Sequence, residues 1–453
     1  MMGTSRLSGL DASFLAVETP AAHMHVGWVA VFSGSSGQPL PSFGELREHI
    51  ERRLVRAPRY RQKLAPVPFN INAPEWIDDE SFAIERHLYW APGPLPGLVD
   101  EVMSMPLRRD RPLWEMWVCQ EPEDDRFALI GKAHHCMVDG LAAVELGSLL
   151  LDTSPHTEAP PAESWSPEPE PGGERLLVRG LRDLLAAEAT LLQAPVRVAT
   201  SPARAARSVA GGAARVTRAI GHSLLSGAPS SALNRSLSPL RRLAWAERPL
   251  EDLRRIKQAY GTTINDVMLA AVAGGMRTYL AEHGEQPVAL KAMVPVSVRS
   301  DKDVLGNHIS FVFAELPCDI PDPLARLFRV HDTMSSRKQH REPEGADLAL
   351  KAAELGPGIV QSAFSRVIAS PRTYNLVVSN IPGPPQPMYM HGCRLESVYP
   401  VVPLSDRHRV SVGMTTVCHR ACFGVYADRE ALPDAHMLAH DIDVAISELL
   451  ACT

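Results

Sequence analysis

Short apolar runs of strand length alternate with segments of helical spacing along most of this 453-residue chain. That alternation admits few architectures, because strands and amphipathic helices in turn must bury their apolar faces as mixed layers. It is interrupted once. Ser154 to Gly173 is rich in Pro, Glu and Ser, and Glu174 to Leu225 is rich in Arg, Ala and Leu, broken by Pro195, Pro202 and Gly211-Gly212. The length suits two domains of ordinary size. The expectation is therefore an α/β (α+β) chain in two halves, each a mixed sheet flanked by helices. Residues 1–153 form the first half, 154–242 a linker and basic helical connection, and 243–453 the second half.

Within the first half, Met24 to Phe32 reads as a strand and Pro41 to Leu64 as a helix, with Phe43, Leu46, Ile50 and Leu54 on one face. Trp114 to Gln120 and Phe127 to His135 read as a hairpin across the acidic turn Glu121 to Asp125. A helix is expected over Leu141 to Leu151. In the second half, Leu250 to Tyr260 and Ile264 to Glu282 read as helices, the latter capped by Thr263. Strands are expected at Leu290 to Val298, His308 to Leu316, Tyr374 to Ser379, Arg409 to Val417 and Cys422 to Tyr426. Further helices are expected at Pro323 to Arg341, Ala346 to Ile368 and Asp434 to Leu450.

Composition excludes several classes. A formal charge of −6 is wrong for a nucleic-acid binder. Seven scattered cysteines with no C-x-x-C pair fit a reducing, cytoplasmic setting. The first residues lack the apolar core of a signal peptide, and no stretch of ~18 apolar residues could span a bilayer. No G-x-S-x-G elbow, phosphate loop or G-x-G-x-x-G fingerprint is present.

The chemistry concentrates in His134-His135-Cys136-Met137-Val138-Asp139-Gly140, which reads H-H-x-x-x-D-G where a strand ends and a helix begins. A neutral imidazole can take a hydroxyl proton near pH 7. A nearby carboxylate can brace the loop that carries it, and Gly permits a tight turn. Adjacent strand residues face opposite ways, so the two histidines should diverge. That speaks against a shared metal ion, and it puts Cys136 on the face of His134 rather than beside His135. The plainer alternative is a pair of satisfied core histidines.

The whole set of motifs resembles the bacterial wax ester synthase/diacylglycerol acyltransferase family, within the CoA-dependent acyltransferase superfamily that includes chloramphenicol acetyltransferase. His134-His135-x-x-x-Asp139-Gly140 is similar to the superfamily's active-site motif. Pro112-Leu113-Trp114, Asn265-Asp266 and Ser379-Asn380-Ile-Pro-Gly-Pro384 are similar to the family's P-L-W, N-D and S-N-x-P-G-P motifs. The segments Leu7 to Leu15, Pro295 to Arg299 and Gly306-Asn307 are also similar, so the matches run in order along nearly the whole chain.

The resemblance implies two chloramphenicol-acetyltransferase-like halves with a tunnel between them. It implies His135 as general base, His134 beside it, and Asp139 with Gly140 shaping the turn, Asp139 pairing with an Arg such as Arg299. Asn265 and Asn380 are candidates for oxyanion donors, or else local backbone partners. Asp266 and Ser379 accompany them, and Pro112, Leu113 and Trp114 either line a substrate channel or anchor a strand. The implied partners are acyl-CoA, as substrate rather than cofactor, with diacylglycerol or a fatty alcohol. No metal is expected. A carrier-protein-dependent acyltransferase and a non-catalytic lipid-binding protein are the rival readings. The Arg-rich stretch Arg175 to Arg218 fits either helices that bridge two domains or contact with an inner membrane face or lipid droplet.

Overall fold

The computed structural model describes residues 5–34, 39–120, 125–138, 147, 149–156, 165–182, 227–297, 309–339 and 369–453. The helix expected over Ala346 to Ile368 lies outside them, as do most of that over Leu141 to Leu151 and most of the Arg-rich region.

Two six-stranded sheets dominate. The first runs in the order Tyr389–Met390, Cys393–Val401, His25–Ser33, Arg126–His134, Trp114–Gln120, Leu88–Trp90. Its pairs are antiparallel except the last. The hairpin of Trp114–Gln120 and Arg126–His134 is that expected from the acidic turn. The second sheet runs Ile309–Leu316, Leu290–Ser297, Leu376–Ile381, Val410–Val417, Arg420–Asp428, Arg241–Pro249. It is mixed, with Leu376–Ile381 parallel to both neighbours. The architecture is thus the α/β arrangement the alternation implies.

Sheet membership departs from chain order at Tyr389–Met390 and Cys393–Val401. Strand Cys393–Val401 lies within the 243–453 segment, yet it pairs with His25–Ser33 of the first sheet. A division into halves by residue number therefore splits the first sheet. Along this crossing, a Cβ at Gly424 would come within 2.1 Å of the Pro400 carbonyl oxygen, so the backbones can meet there only at a glycine. Polar contacts also tie strand Arg241–Pro249 of the second sheet to helix Leu95–Ser104 and to strand Cys393–Val401. Asp100 accepts the Leu243 N–H at 3.0 Å and the Arg242 Nε–H at 3.2 Å. Tyr399 donates its hydroxyl to Glu247 at 2.5 Å.

Local signals account for most elements. Helix Phe43–Leu54 starts at a capping box of Ser42 and Glu45 and buries Leu46, Ile50 and Leu54. It stops well short of the expected Leu64. Pro58 cannot supply an N–H to the helix and pushes Ala57 out of the helical region. The chain instead makes a single turn at Pro58–Arg61 and then a short strand, Gln62–Ala65. Helix Leu250–Tyr260 ends at Gly261, which takes a left-handed φ of 66°. Helix Ile264–Glu282 then begins at a Thr263/Asp266 capping box. Its residues Asp266 to Met276 are all buried, against the second sheet and helix Ala435–Ala451.

Candidate active site

Strand Arg126–His134 delivers the histidine pair. His134 is its last residue, paired with His25, and His135 begins the turn that follows. The strand's alternation of faces therefore ends at His134, and the position of His135 is set by the turn. Both lie against one helix, Gly9–Val17, and its C-cap residue Glu18. The His135 imidazole stacks on Phe14 with centroids 3.7 Å apart and planes 15° apart. The His134 Nε2 sits 3.6 Å from the Glu18 carboxylate. Phe14 and Glu18 are four residues apart, which places them one helical turn from each other.

Backbone bonds fix the turn. His135 donates its N–H to the Met24 carbonyl at 2.9 Å. Met24 holds a left-handed φ of 49°, at the threshold of strand His25–Ser33. His134 donates its N–H to the Leu113 carbonyl, and Met137 donates to the His134 carbonyl, both at 2.9 Å. The Cys136 N–H donates to Nδ1 of His134 at 3.1 Å.

The electrostatics keep both rings neutral. Burial lowers the His134 pKa to about 3, with the Arg109 charge adding to the effect. Burial likewise lowers that of His135 to about 4, opposed by its own backbone. An imidazole that stays unprotonated at pH 7 can accept a proton. His135 as a residue is partly buried, and its Nδ1 is buried without a partner. Nε2 is thus the nitrogen left to face accessible space. Burial pushes the Cys136 thiol up to about 12, so it stays protonated and is unsuited to act as a nucleophile. Among the described residues, no three His, Cys, Asp or Glu side chains gather as a metal site.

The remaining motif residues are distributed differently. Asp139, Gly140 and Arg299 lie outside the described residues. Pro112, Leu113 and Trp114 are buried, and Trp114 is 1% exposed. Its indole N–H donates to the Tyr60 carbonyl at 2.7 Å, and its ring stacks on His87 at 4.6 Å. The indole N–H is spent on protein, as a strand anchor requires, and Trp114 also lines a cavity with Val26, Trp28, Tyr60 and Val138, as a channel residue would, so the contacts fit both readings of this motif. The Asp266 carboxylate is likewise spent, accepting from the Thr263 N–H at 2.9 Å and lying 2.9 Å from Nδ1 of His331.

Asn265, one position earlier, is only partly buried, and its amide makes no hydrogen bond among the described residues. Ser379, expected to end a strand, and Asn380, expected just beyond it, both fall inside strand Leu376–Ile381. The strand starts two residues later than expected because at Asn375 the side-chain oxygen, in place of the backbone carbonyl, accepts the N–H of Lys291 on the neighbouring strand, while its amide donates to Pro229. Ser379 is buried, Asn380 partly so. The strand is closed by Gly383, where a Cβ would lie 1.9 Å from the Thr416 carbonyl oxygen.

Sequence reasoning missed Phe14, Glu18 and Arg109. The first falls in a segment that carried the family resemblance, but nothing in its local pattern pointed to a histidine about 120 residues away. Arg109 forms an ion pair with Glu18.

Comparison with known proteins places the chain in a family. Residues 7–268 match the wax ester synthase/diacylglycerol acyltransferase catalytic domain, and residues 305–450 match the C-terminal domain of the same family. A Mycobacterium tuberculosis (strain ATCC 25618 / H37Rv) protein named "Probable diacyglycerol O-acyltransferase tgs1" is 33% identical, over 99% of this chain and 96% of that protein. The structure of a wax ester synthase/diacylglycerol acyltransferase from Marinobacter aquaeolei VT8 superposes with a TM-score of 0.69 at 26% identity, covering 98% of each chain. The first condensation domain of the calcium-dependent antibiotic synthetase shares the fold, with a TM-score of 0.62 at 15% identity, covering 99% of this chain and 96% of that one. The chain is an O-acyltransferase and belongs to the wax ester synthase/diacylglycerol acyltransferase family.

Proposed function

We propose that the protein transfers a long-chain acyl group from acyl-CoA to the hydroxyl of diacylglycerol, and to long-chain alcohols, with His135 as general base. Nε2 of His135 takes the hydroxyl proton as the oxygen attacks the thioester carbonyl carbon. The tetrahedral intermediate collapses with cleavage of the C–S bond, and the proton passes from Nε2 to the departing CoA sulfur. One base serves both steps, so no acyl-enzyme is required. The observation that carries the reading is the neutral His135 ring held flat on Phe14.

The developing oxyanion needs a donor. The amides of Asn265 and Asn380 are the candidates, both being partly accessible. Incubation with palmitoyl-CoA and either diolein or hexadecanol, in detergent, tests the activity. Absence of ester from both acceptors ends the reading. His135→Ala should abolish turnover while leaving the circular dichroism spectrum unchanged, and near-full activity in that variant removes the base assignment.

The acceptors are lipids, and the same reading includes peripheral association with a membrane or lipid-droplet surface. No helix among the described residues is long and apolar enough to cross a membrane. Supporting a surface contact, Phe69 is 87% exposed at a left-handed φ of 62°. Its loop packs through Val67 and Ile71 against Gly180 of a helix at 173–182. That helix exposes Val178 and Leu181 together with Arg175, Arg179 and Arg182. An apolar patch with cationic neighbours suits an anionic lipid surface. Sedimentation with phosphatidylcholine vesicles, with and without phosphatidylglycerol, should show binding that rises with anionic lipid and falls with salt. Failure to sediment with either vesicle would refute the association.

A further inference from the structure

We infer that Glu18 is a positioning residue for the histidine pair: facing Nε2 of His134, its carboxylate sets which nitrogen of that ring carries the proton, and so holds the turn that presents His135. The inference rests on His135 being the base.

Two contacts on opposite sides of the His134 ring carry the argument. On one side, Nδ1 accepts the Cys136 N–H at 3.1 Å, so Nδ1 must hold a lone pair. On the other, Nε2 is buried, has no hydrogen-bond partner, and lies 3.6 Å from the Glu18 Oε2. That is too long for a hydrogen bond, but among the described residues Glu18 is the only carboxylate within 4.0 Å of this nitrogen. With the proton on Nε2, a donor faces a carboxylate on one side and a lone pair faces an N–H on the other. With the proton on Nδ1, two donors collide at Cys136 and a lone pair faces an anion. Both sides therefore select the same tautomer.

Glu18 is itself held. It pairs with Arg109, and it caps the helix that carries Phe14. One N-terminal helix thus steadies both rings, His135 by stacking and His134 through a carboxylate. Tautomer selection at His134 preserves the Cys136 bond, and that bond spans His135. Loss of the carboxylate frees the His134 ring to turn or to change tautomer, and the span loosens. A base displaced by about 1 Å costs on the order of a hundredfold in rate.

The test uses the full chain labelled with 15N-histidine. The His134 ring signals are assigned by their disappearance in His134→Asn. The wild type should show His134 protonated at Nε2 and bare at Nδ1. Glu18→Ala should lower kcat with palmitoyl-CoA and hexadecanol by about tenfold or more, leave KM for the acyl donor within about twofold, and mix the His134 tautomers. Glu18→Gln, whose amide oxygen can still accept from Nε2–H, should keep the wild-type tautomer and recover most of kcat. A wild-type His134 protonated at Nδ1 overturns the inference. So does a Glu18→Ala enzyme that keeps its rate, or one that loses rate with its tautomer unchanged. If Glu18→Ala does not fold, the wild-type tautomer and Glu18→Gln decide. An active His135→Ala would remove the base assignment yet leave the His134 tautomer to be judged on its own spectrum.

Discussion

Lowering the pH from 7 to 5.5 separates the His135 described above from an ordinary histidine. Burial holds its pKa at about 4, so about 97% of the rings remain neutral at pH 5.5. An exposed histidine titrating at about 6.5 would be only about 9% neutral there. For a base that works in its neutral form, kcat should thus stay nearly flat over this window. The ordinary value predicts a fall of about tenfold. The assay is kcat with palmitoyl-CoA and hexadecanol at half-unit pH steps, with circular dichroism at each step to confirm that the chain is folded. An inflexion near pH 6.5 with the fold intact would refute the reasoning. It would mean that the proton-accepting group is solvated, and so is not this buried ring against Phe14.

Acid should weaken the fold before it titrates that base. Burial lowers the pKa of His87 and of His408 to about 4, so the unfolded chain binds more protons as the pH falls below about 6.5. Their stabilisation is complete above that value and is lost as the pH falls towards 4, each site costing about 2 kcal/mol by pH 5. His87→Gln should narrow the difference between urea-derived stabilities at pH 7 and pH 5 by that amount, and an unchanged difference would contradict it. Gly383→Ala should cost about 2 kcal/mol or more, read as a lower Tm, because its Cβ meets a backbone oxygen that cannot move aside. Arg53 bridges both Asp152 oxygens at 2.7 Å, with side chains only 5% and 14% exposed. Arg53→Ala should cost about 3 kcal/mol, and Arg53→Met with Asp152→Leu should recover most of it. Equal losses in the two would show that packing, not the stranded charge, sets the cost.

Elements with strong local signals were readable from residues alone. Helices Leu250–Tyr260 and Ile264–Glu282 carry their own stops and starts in Gly261 and Thr263, and both have the expected bounds. The hairpin that ends in His134 was legible from two apolar runs and an acidic turn. Where a local signal was overlooked, the reading failed in an explicable way. Pro58 ended a helix expected to run on to Leu64, and Asn375, drawn into bonds with Lys291 and Pro229, moved a strand start.

The sequence by itself determined the types of most elements, their order, and the residue identities that mark an acyltransferase. Period, capping and motif spacing are local and are written in consecutive residues. Only the tertiary structure decided that Cys393–Val401 joins the first sheet, that the Trp114 indole N–H bonds Tyr60, and that Phe14 and Glu18 close on the histidine pair. These are contacts between distant positions, and no periodicity records them. They arise because two sheets and their helices can bury their apolar faces together in only a few ways, and the side chains that meet are those which that packing brings within reach.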